Sequence, residues 1–204
     1  MEEYKYYYEG AEFYCYPGTN VLINKFGIRD REQLEIAERK ITALKALEFE
    51  EQSFKGKLDY EYILSIHYYL FCDLYEWAGK IRVGEFMFKG DSMFFRACYI
   101  EQGFDTFYKK LLSENFLKGL PKDKFCERLA YYMGELNTLH PFREGNGRTS
   151  RLYFKQLAKQ AGYQLIFSNV SKDELLDADI SAFNCQYGPL IRVLDKVVSV
   201  NIRQ

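Results

Sequence analysis

A mostly helical domain carrying one β-hairpin is the fold this sequence predicts, and three features predict it. Apolar residues recur at helical spacing through most of the chain, a segment at 80–96 switches to a strand-like pattern, and no linker, repeat or low-complexity tract divides the rest. With 204 residues, 48% of them hydrophobic and 18% aromatic, the chain can fill one ordinary core. The expectation is an all-α fold in a single domain spanning 1–204.

The elements follow in order. Residues 1–29, rich in tyrosine and broken by Tyr16-Pro17-Gly18-Thr19-Asn20, read as an irregular N-terminal cap. Asp30 opens a helix, with Gln33 placed as in a weak capping box. Leu34, Ala37, Ile41, Leu44 and Leu47 form its expected inward face, and Glu35 with Arg39 an outward ion pair. A second helix is expected from Leu58-Asp59, with Ile63, Ile66, Leu70 and Leu74 inward and Ala78-Gly79 at its end. Between 80 and 96, Ile81, Val83, Phe86, Met87 and Phe88 are strand-like, and Lys89-Gly90-Asp91-Ser92 is a turn before Met93-Phe94-Phe95, which makes the hairpin.

Helical spacing resumes with Ile100, Phe104, Phe107 and Leu111, and again after Pro121 with Phe125, Leu129, Tyr132, Met133 and Leu136. A helix from Arg148 to Ala161 is stopped by Gly162. Ser171 and Glu174 have full capping-box spacing for the next helix, and Pro189 opens the last, with Leu190, Val193, Leu194 and Val197 inward.

Bulk properties narrow the function. A formal net charge of −1 gives no global basic field, so neither nucleic acid nor an anionic membrane is an expected partner. Five scattered cysteines without a C-x-x-C pair read as free thiols of a reducing compartment. Only His67 and His140 could assist them at zinc, and neither lies near a cysteine pair. His67 by itself reads as a satisfied structural histidine. With no basic leader and no run long enough to span a bilayer, the expected location is the cytoplasm, leaderless secretion remaining open.

The chemistry is concentrated in His140-Pro141-Phe142-Arg143-Glu144-Gly145-Asn146-Gly147-Arg148-Thr149-Ser150-Arg151. Chance assembly of its specified positions is on the order of 10⁻⁹ per chain at ordinary residue frequencies. Gly145, Asn146 and Gly147 lead into a helix whose first N–H groups lack helical partners, which is an anion site before any side chain is counted. Arg148 and Arg151, three residues apart, fall on one helix face and can grip successive phosphates. Glu144 would be repelled by bare phosphate but suits Mg²⁺ shared with phosphate oxygens. His140 is a candidate general base toward an attacking hydroxyl.

These residues match, at every fixed position, the HPFx[D/E]GNGRxxR signature of the Fic (filamentation induced by cAMP) proteins, and the chain resembles that family. The Leu74-Tyr75-Glu76-Trp77-Ala78-Gly79-Lys80 stretch, Tyr16-Pro17-Gly18-Thr19, Ala182-Phe183-Asn184 and Tyr187-Gly188-Pro189-Leu190 are similar as well. The resemblance implies a helical core with a β-hairpin flap and transfer of AMP from ATP to a Tyr, Ser or Thr hydroxyl of a target protein. Carried over, it makes His140 the base, Glu144 the Mg²⁺ ligand, and Gly145, Asn146 and Gly147 the phosphate cradle. Arg148 would stabilise the leaving pyrophosphate and Arg151 reach the γ-phosphate. Asn184 and Tyr187 are candidates for an adenine pocket. The edge formed by Gly84, Glu85, Phe86, Met87, Phe88 and Lys89 is the candidate docking strand for an extended target segment, pairing main chain to main chain.

Many relatives are held off by a [S/T]xxxE[G/N] helix whose glutamate pairs the second motif arginine. Here Glu9-Gly10 and Glu114-Asn115 have Lys5 and Lys110 at the upstream position, so neither fits. The expectation is a bacterial toxin whose inhibitory glutamate arrives at Arg151 on a separate small antitoxin; the rival is a constitutively active effector domain or a chain trimmed of its regulatory part. Bacterial topoisomerases, targets of some toxin-type relatives, are candidate targets. Two other readings stay open: the same fold moving another group, such as UMP or phosphocholine, and a nucleotide-binding interaction module.

Overall fold

The computed structural model describes residues 6–51, 56–90 and 92–200; Asp91 of the expected turn, residues 1–5 of the expected cap and the tail at 201–204 lie outside them. Among the described residues the chain is predominantly helical, and it divides into two compact units.

The first unit holds residues up to Glu101 together with His140–Thr149. It begins with a strand, β1 (Tyr6–Tyr8), where an irregular cap was expected. Helix α1 (Arg31–Glu51) starts as the local signal requires, the Gln33 N–H donating to Asp30 Oδ1 at 2.8 Å. Its inward face differs from expectation. Leu44 and Leu47 are 59% and 66% exposed, while Leu34, Thr42 and Phe49 are buried. The outward ion pair is Arg31 with Glu35 at 2.9 Å, one turn before the pair the sequence suggested.

Helix α2 (Tyr60–Phe71) is capped by Asp59, whose side chain accepts from the Tyr62 N–H. Ile63, Ile66 and Leu70 are buried as the spacing predicts. The helix ends at Phe71, so Leu74 packs from the following turns, and the chain reverses at Gly79 with φ +75. A Cβ there would lie 2.8 Å from the Cβ of Tyr68, which admits only glycine.

The hairpin is present but short: β2 (Met87–Lys89) and β3 (Ser92–Met93). Ile81 and Val83 lie before it outside any strand. The edge expected to be free is occupied. β1 pairs antiparallel with β2, Tyr7 opposite Phe88, and the Glu9 N–H donates to the Phe86 carbonyl at 3.0 Å. β2 is therefore the central strand of the order β1-β2-β3, and Met87, Phe88 and Lys89 have a backbone partner on each side.

The second unit comprises Gln102–Leu139 and Ser150–Gln204. Helix α3 (Ile100–Ser113) enters it, and α4 (Lys122–Leu139) buries Phe125, Leu129, Tyr132, Met133 and Leu136 as the periodicity predicts. Helix α5 (Asn146–Gln160) starts two residues before the expected Arg148. Beyond it β4 (Tyr163–Leu165) leads to α6 (Lys172–Phe183), where Ser171 Oγ accepts from the Glu174 N–H at 3.1 Å, and to α7 (Gly188–Val197). Strand β5 (Val198–Val200) pairs back on β4, a connection no local pattern announced. Gly134 lets α6 and α7 sit against α4: a Cβ there would be 3.0 Å from the Tyr187 ring and 3.2 Å from the Ala182 carbonyl.

Candidate functional site

The loop after α4 is shaped by side chains that grip its backbone. His67 of α2 is fully buried, its ring stacked on Phe142 with centroids 3.8 Å apart and planes at 7°. The Gly79 N–H donates to His67 Nδ1 at 2.8 Å, so the proton is on Nε2, which donates to the Glu144 carbonyl at 3.0 Å. Burial depresses this imidazole to about 3, against the smaller opposing effect of the Glu144 hydrogen bond, so it is neutral at any physiological pH. Asn146 clasps the same loop: its Oδ1 accepts from the Phe142 N–H at 2.9 Å and its Nδ2 donates to the Phe142 carbonyl at 2.8 Å. One further amide hydrogen of Asn146 is left for a ligand. Gly145, at φ +83, passes over Phe71 so closely that a Cβ would lie 2.2 Å from the ring.

His140 takes φ 42, a conformation uncommon outside glycine, and its ring stacks on Phe94 with centroids 3.7 Å apart. Arg82, 2% exposed, fixes the backbone beneath it. Its Nε donates to the His140 carbonyl at 2.9 Å, Nη1 to the Gly84 carbonyl at 3.1 Å, and Nη2 to the Phe95 carbonyl. The Arg82 N–H donates to the Pro141 carbonyl at 2.8 Å. One buried guanidinium thus ties the histidine loop to both arms of the hairpin. Upstream, the Tyr8 hydroxyl donates to the Val83 carbonyl and the Val83 N–H to the Tyr14 hydroxyl, anchoring the hairpin's root to the N-terminal segment.

The charged groups converge at the start of α5. Glu144 Oε1 accepts from the Gly145 N–H at 2.8 Å and pairs with Arg148 Nη2 at 3.3 Å. Arg148 also pairs with Glu38 of α1 at 2.6 Å, donates to Thr42 Oγ1 at 3.1 Å, and lies 4.8 Å above the Phe71 ring. The first-turn N–H groups of Gly147 and Arg148 have no helical carbonyl to meet. Among the described residues no group of three or more His, Cys, Asp or Glu could hold a metal by itself. Glu144 is half-exposed beside the start of α5, an arrangement that fits Mg²⁺ carried on a nucleotide and sharing one carboxylate with phosphate oxygens.

Arg151 is a half-buried residue of α5, three on from Arg148. Asn184 caps the end of α6, its Nδ2 donating to the Ile180 carbonyl at 3.0 Å. Tyr187 begins α7, with its ring 5.8 Å from that of Tyr131; burial first, and Cys185 next, push its hydroxyl up to about 12. Both adenine-pocket candidates belong to the α6–α7 connection in the second unit.

Three contributors were not singled out from the sequence as parts of the site: Arg82, Glu38 and the His67 strut. Glu38 left a trace, because it and Thr42 fall at helical spacing with Leu34, polar positions on a stripe that turns inward. Arg82 left none.

A Fic/DOC family profile matches residues 57–158. The protein adenylyltransferase VbhT of Bartonella schoenbuchensis is 41% identical over 177 residues, covering 86% of this chain, which spans only 37% of VbhT's length. The probable protein adenylyltransferase Fic of Escherichia coli K12 is 38% identical over 191 residues, 94% of each chain. Among solved structures, the BepC protein of Bartonella tribocorum with bound AMPPNP superposes with a TM-score of 0.89 at 28% identity, covering 93% of this chain and 97% of that one.

Proposed function

The chain belongs to the Fic/DOC family, and from that premise we propose that it is a protein adenylyltransferase, moving AMP from ATP to a Tyr, Ser or Thr hydroxyl of a target protein. The observation that carries this reading is the pairing of Glu144 with Arg148 at an open helix start, on a loop that also bears His140 and whose backbone is held by His67, Asn146 and Arg82. In the reaction the target oxygen forms a bond to the α-phosphorus as the bond to pyrophosphate breaks. His140 takes the hydroxyl proton, while Arg148, with the N–H groups of the α5 first turn, meets the charge gathering on the leaving group. Gly145, Asn146 and Gly147 let phosphate approach; Arg151 for the γ-phosphate and Asn184 with Tyr187 for the base are the assignments that the family resemblance implies. Bound Mg²⁺, held through Glu144, supplies charge neutralisation on the phosphates.

With β2 filled by β1, the outer edge of β3 is the position for an extended target segment, beside Phe94 and the His140 ring that stacks on it. Regulation by a separate small antitoxin carrying a glutamate to Arg151 belongs to the same reading. It is supported by the engagement of the chain's own candidates: Glu114 accepts from Arg128 at 2.7 and 2.5 Å, and Glu9 Oε2 from the Phe86 N–H. A topoisomerase is the candidate target. No helix among the described residues is long and apolar enough to cross a membrane, in keeping with action on protein in the cytoplasm or after secretion.

The test is incubation of the purified chain, and of a His140→Ala control, with α-labelled ATP, Mg²⁺ and bacterial lysate. A labelled protein absent from the control supports the transfer. ATP binding with no labelled protein in any lysate counts against it and favours a binding module.

A further inference from the structure

We infer that Glu38 is a positioning residue for the phosphate-binding arginine of the signature loop. Helix α1 turns an unusual face inward: Thr42 is 2% exposed and Glu38 half-buried, while Ile36, Leu44 and Leu47 point to solvent. A helix packed only for its apolar contacts would be rotated the other way. What the inward polar residues meet is Arg148. Glu38 Oε1 pairs with Nη2 at 2.6 Å, and Thr42 Oγ1 accepts from Nη1 at 3.1 Å. Thr42 in turn donates to the Glu38 carbonyl at 2.8 Å.

Glu38 is itself held. Its Oε2 accepts from the Tyr75 hydroxyl, and Tyr75 is 1% exposed. Burial, with the neighbouring carboxylate, raises the Tyr75 phenol well above its ordinary range, so it remains protonated and donating. The chain Tyr75–Glu38–Arg148 therefore runs from a buried aromatic to the guanidinium, with Phe71 beneath the latter at 4.8 Å. A guanidinium has five N–H donors. Nη2 spends its two on Glu38 and Glu144, and Nη1 one on Thr42. The Nε–H and the second Nη1–H stay available to an incoming oxyanion. An arginine otherwise free to sample many rotamers is thus pre-oriented with a defined pair of donors uncommitted, which removes ordering cost from the binding step. Both carboxylate oxygens of Glu38 are engaged, one by Tyr75 and one by Arg148, so it acts through Arg148.

The inference rests on the adenylyltransferase reading for the identity of the phosphate ligand, and its test is made by binding rather than by turnover. AMPPNP with Mg²⁺ is titrated calorimetrically into the full chain and into Glu38→Gln, Glu38→Ala, Arg148→Ala and the two double variants, each checked for folding by thermal melting. Loss of a charge-assisted partner predicts roughly tenfold weaker binding for Glu38→Ala. Glu38→Gln, which keeps the shape and one acceptor, is expected to fall between it and the wild type. In the Arg148→Ala background neither change should have further effect, since the whole influence passes through that arginine. Equal fold-losses in both backgrounds would assign Glu38 a general structural role and overturn the inference. Tighter binding by either single variant would overturn it too, by making Glu38 a competitor of phosphate. Absence of any AMPPNP binding by the wild-type chain would remove the nucleotide reading first, and this inference with it.

Discussion

The loop at residues 140–147 and the tip of the hairpin are held in opposite ways. Side chains supply four of the bonds that hold the loop backbone, His67 on the Glu144 carbonyl, Arg82 on that of His140 and Asn146 on both polar groups of Phe142, beside the main-chain bond from the Arg82 N–H to Pro141. The tip, by contrast, is held by strand ladders of three and two residue pairs, and Met93 is 49% exposed. Side-chain grips fix one geometry and tolerate few substitutions; main-chain pairing accepts almost any sequence. A reacting centre needs the first kind of support and an edge that receives varied segments is served by the second.

The largest test of that contrast is Gly145→Ala. A Cβ 2.2 Å from the Phe71 ring, on a backbone at φ +83, should cost about 4 kcal/mol in urea denaturation, partly recovered when Phe71→Leu is added. Next comes Arg82→Leu, which buries a leucine in place of the guanidinium and takes the donor from three part-buried carbonyls. The expected loss is about 3 kcal/mol, with labelling activity falling further than stability accounts for.

His67 sharpens the comparison by pH. Its folded pKa is lowered, so below the ordinary 6.5 the unfolded chain binds the extra proton. Stability should decline as pH falls from 6.5 toward 3, by about 1.4 kcal/mol per unit from this group. Denaturation midpoints at pH 7 and pH 5 check it: His67→Gln should show the shallower loss, and equal slopes would refute it. The smallest effect belongs to Met93→Ser at the tip, within about 0.5 kcal/mol of wild-type stability. If the β3 edge receives the target, KM for the target protein rises while AMPPNP affinity is unchanged.

Much of this was legible in the sequence because the relevant physics is local. Asp30, Asp59 and Ser171 marked helix starts through cap bonds that span only three residues. The loop from His140 to Arg148 was visible because it gathers unusual residue types in one run. Strand β1 was missed because three consecutive tyrosines show no alternation and the partner lies near Phe88, far along the chain. The same distance hid β4 with β5. Arg82 and Glu38 look like ordinary surface charges until the fold brings the His140 carbonyl and Arg148 to them. The α1 face was misassigned for that reason: the apolar pattern was read without the arginine it turns toward.

The Nε2 proton of His67 has a consequence for dynamics. It lies between a fully buried ring and the Glu144 carbonyl, out of contact with water. Its exchange with solvent therefore requires the loop to lift from α2, so one imidazole N–H resonance, followed in D₂O, would time that opening directly.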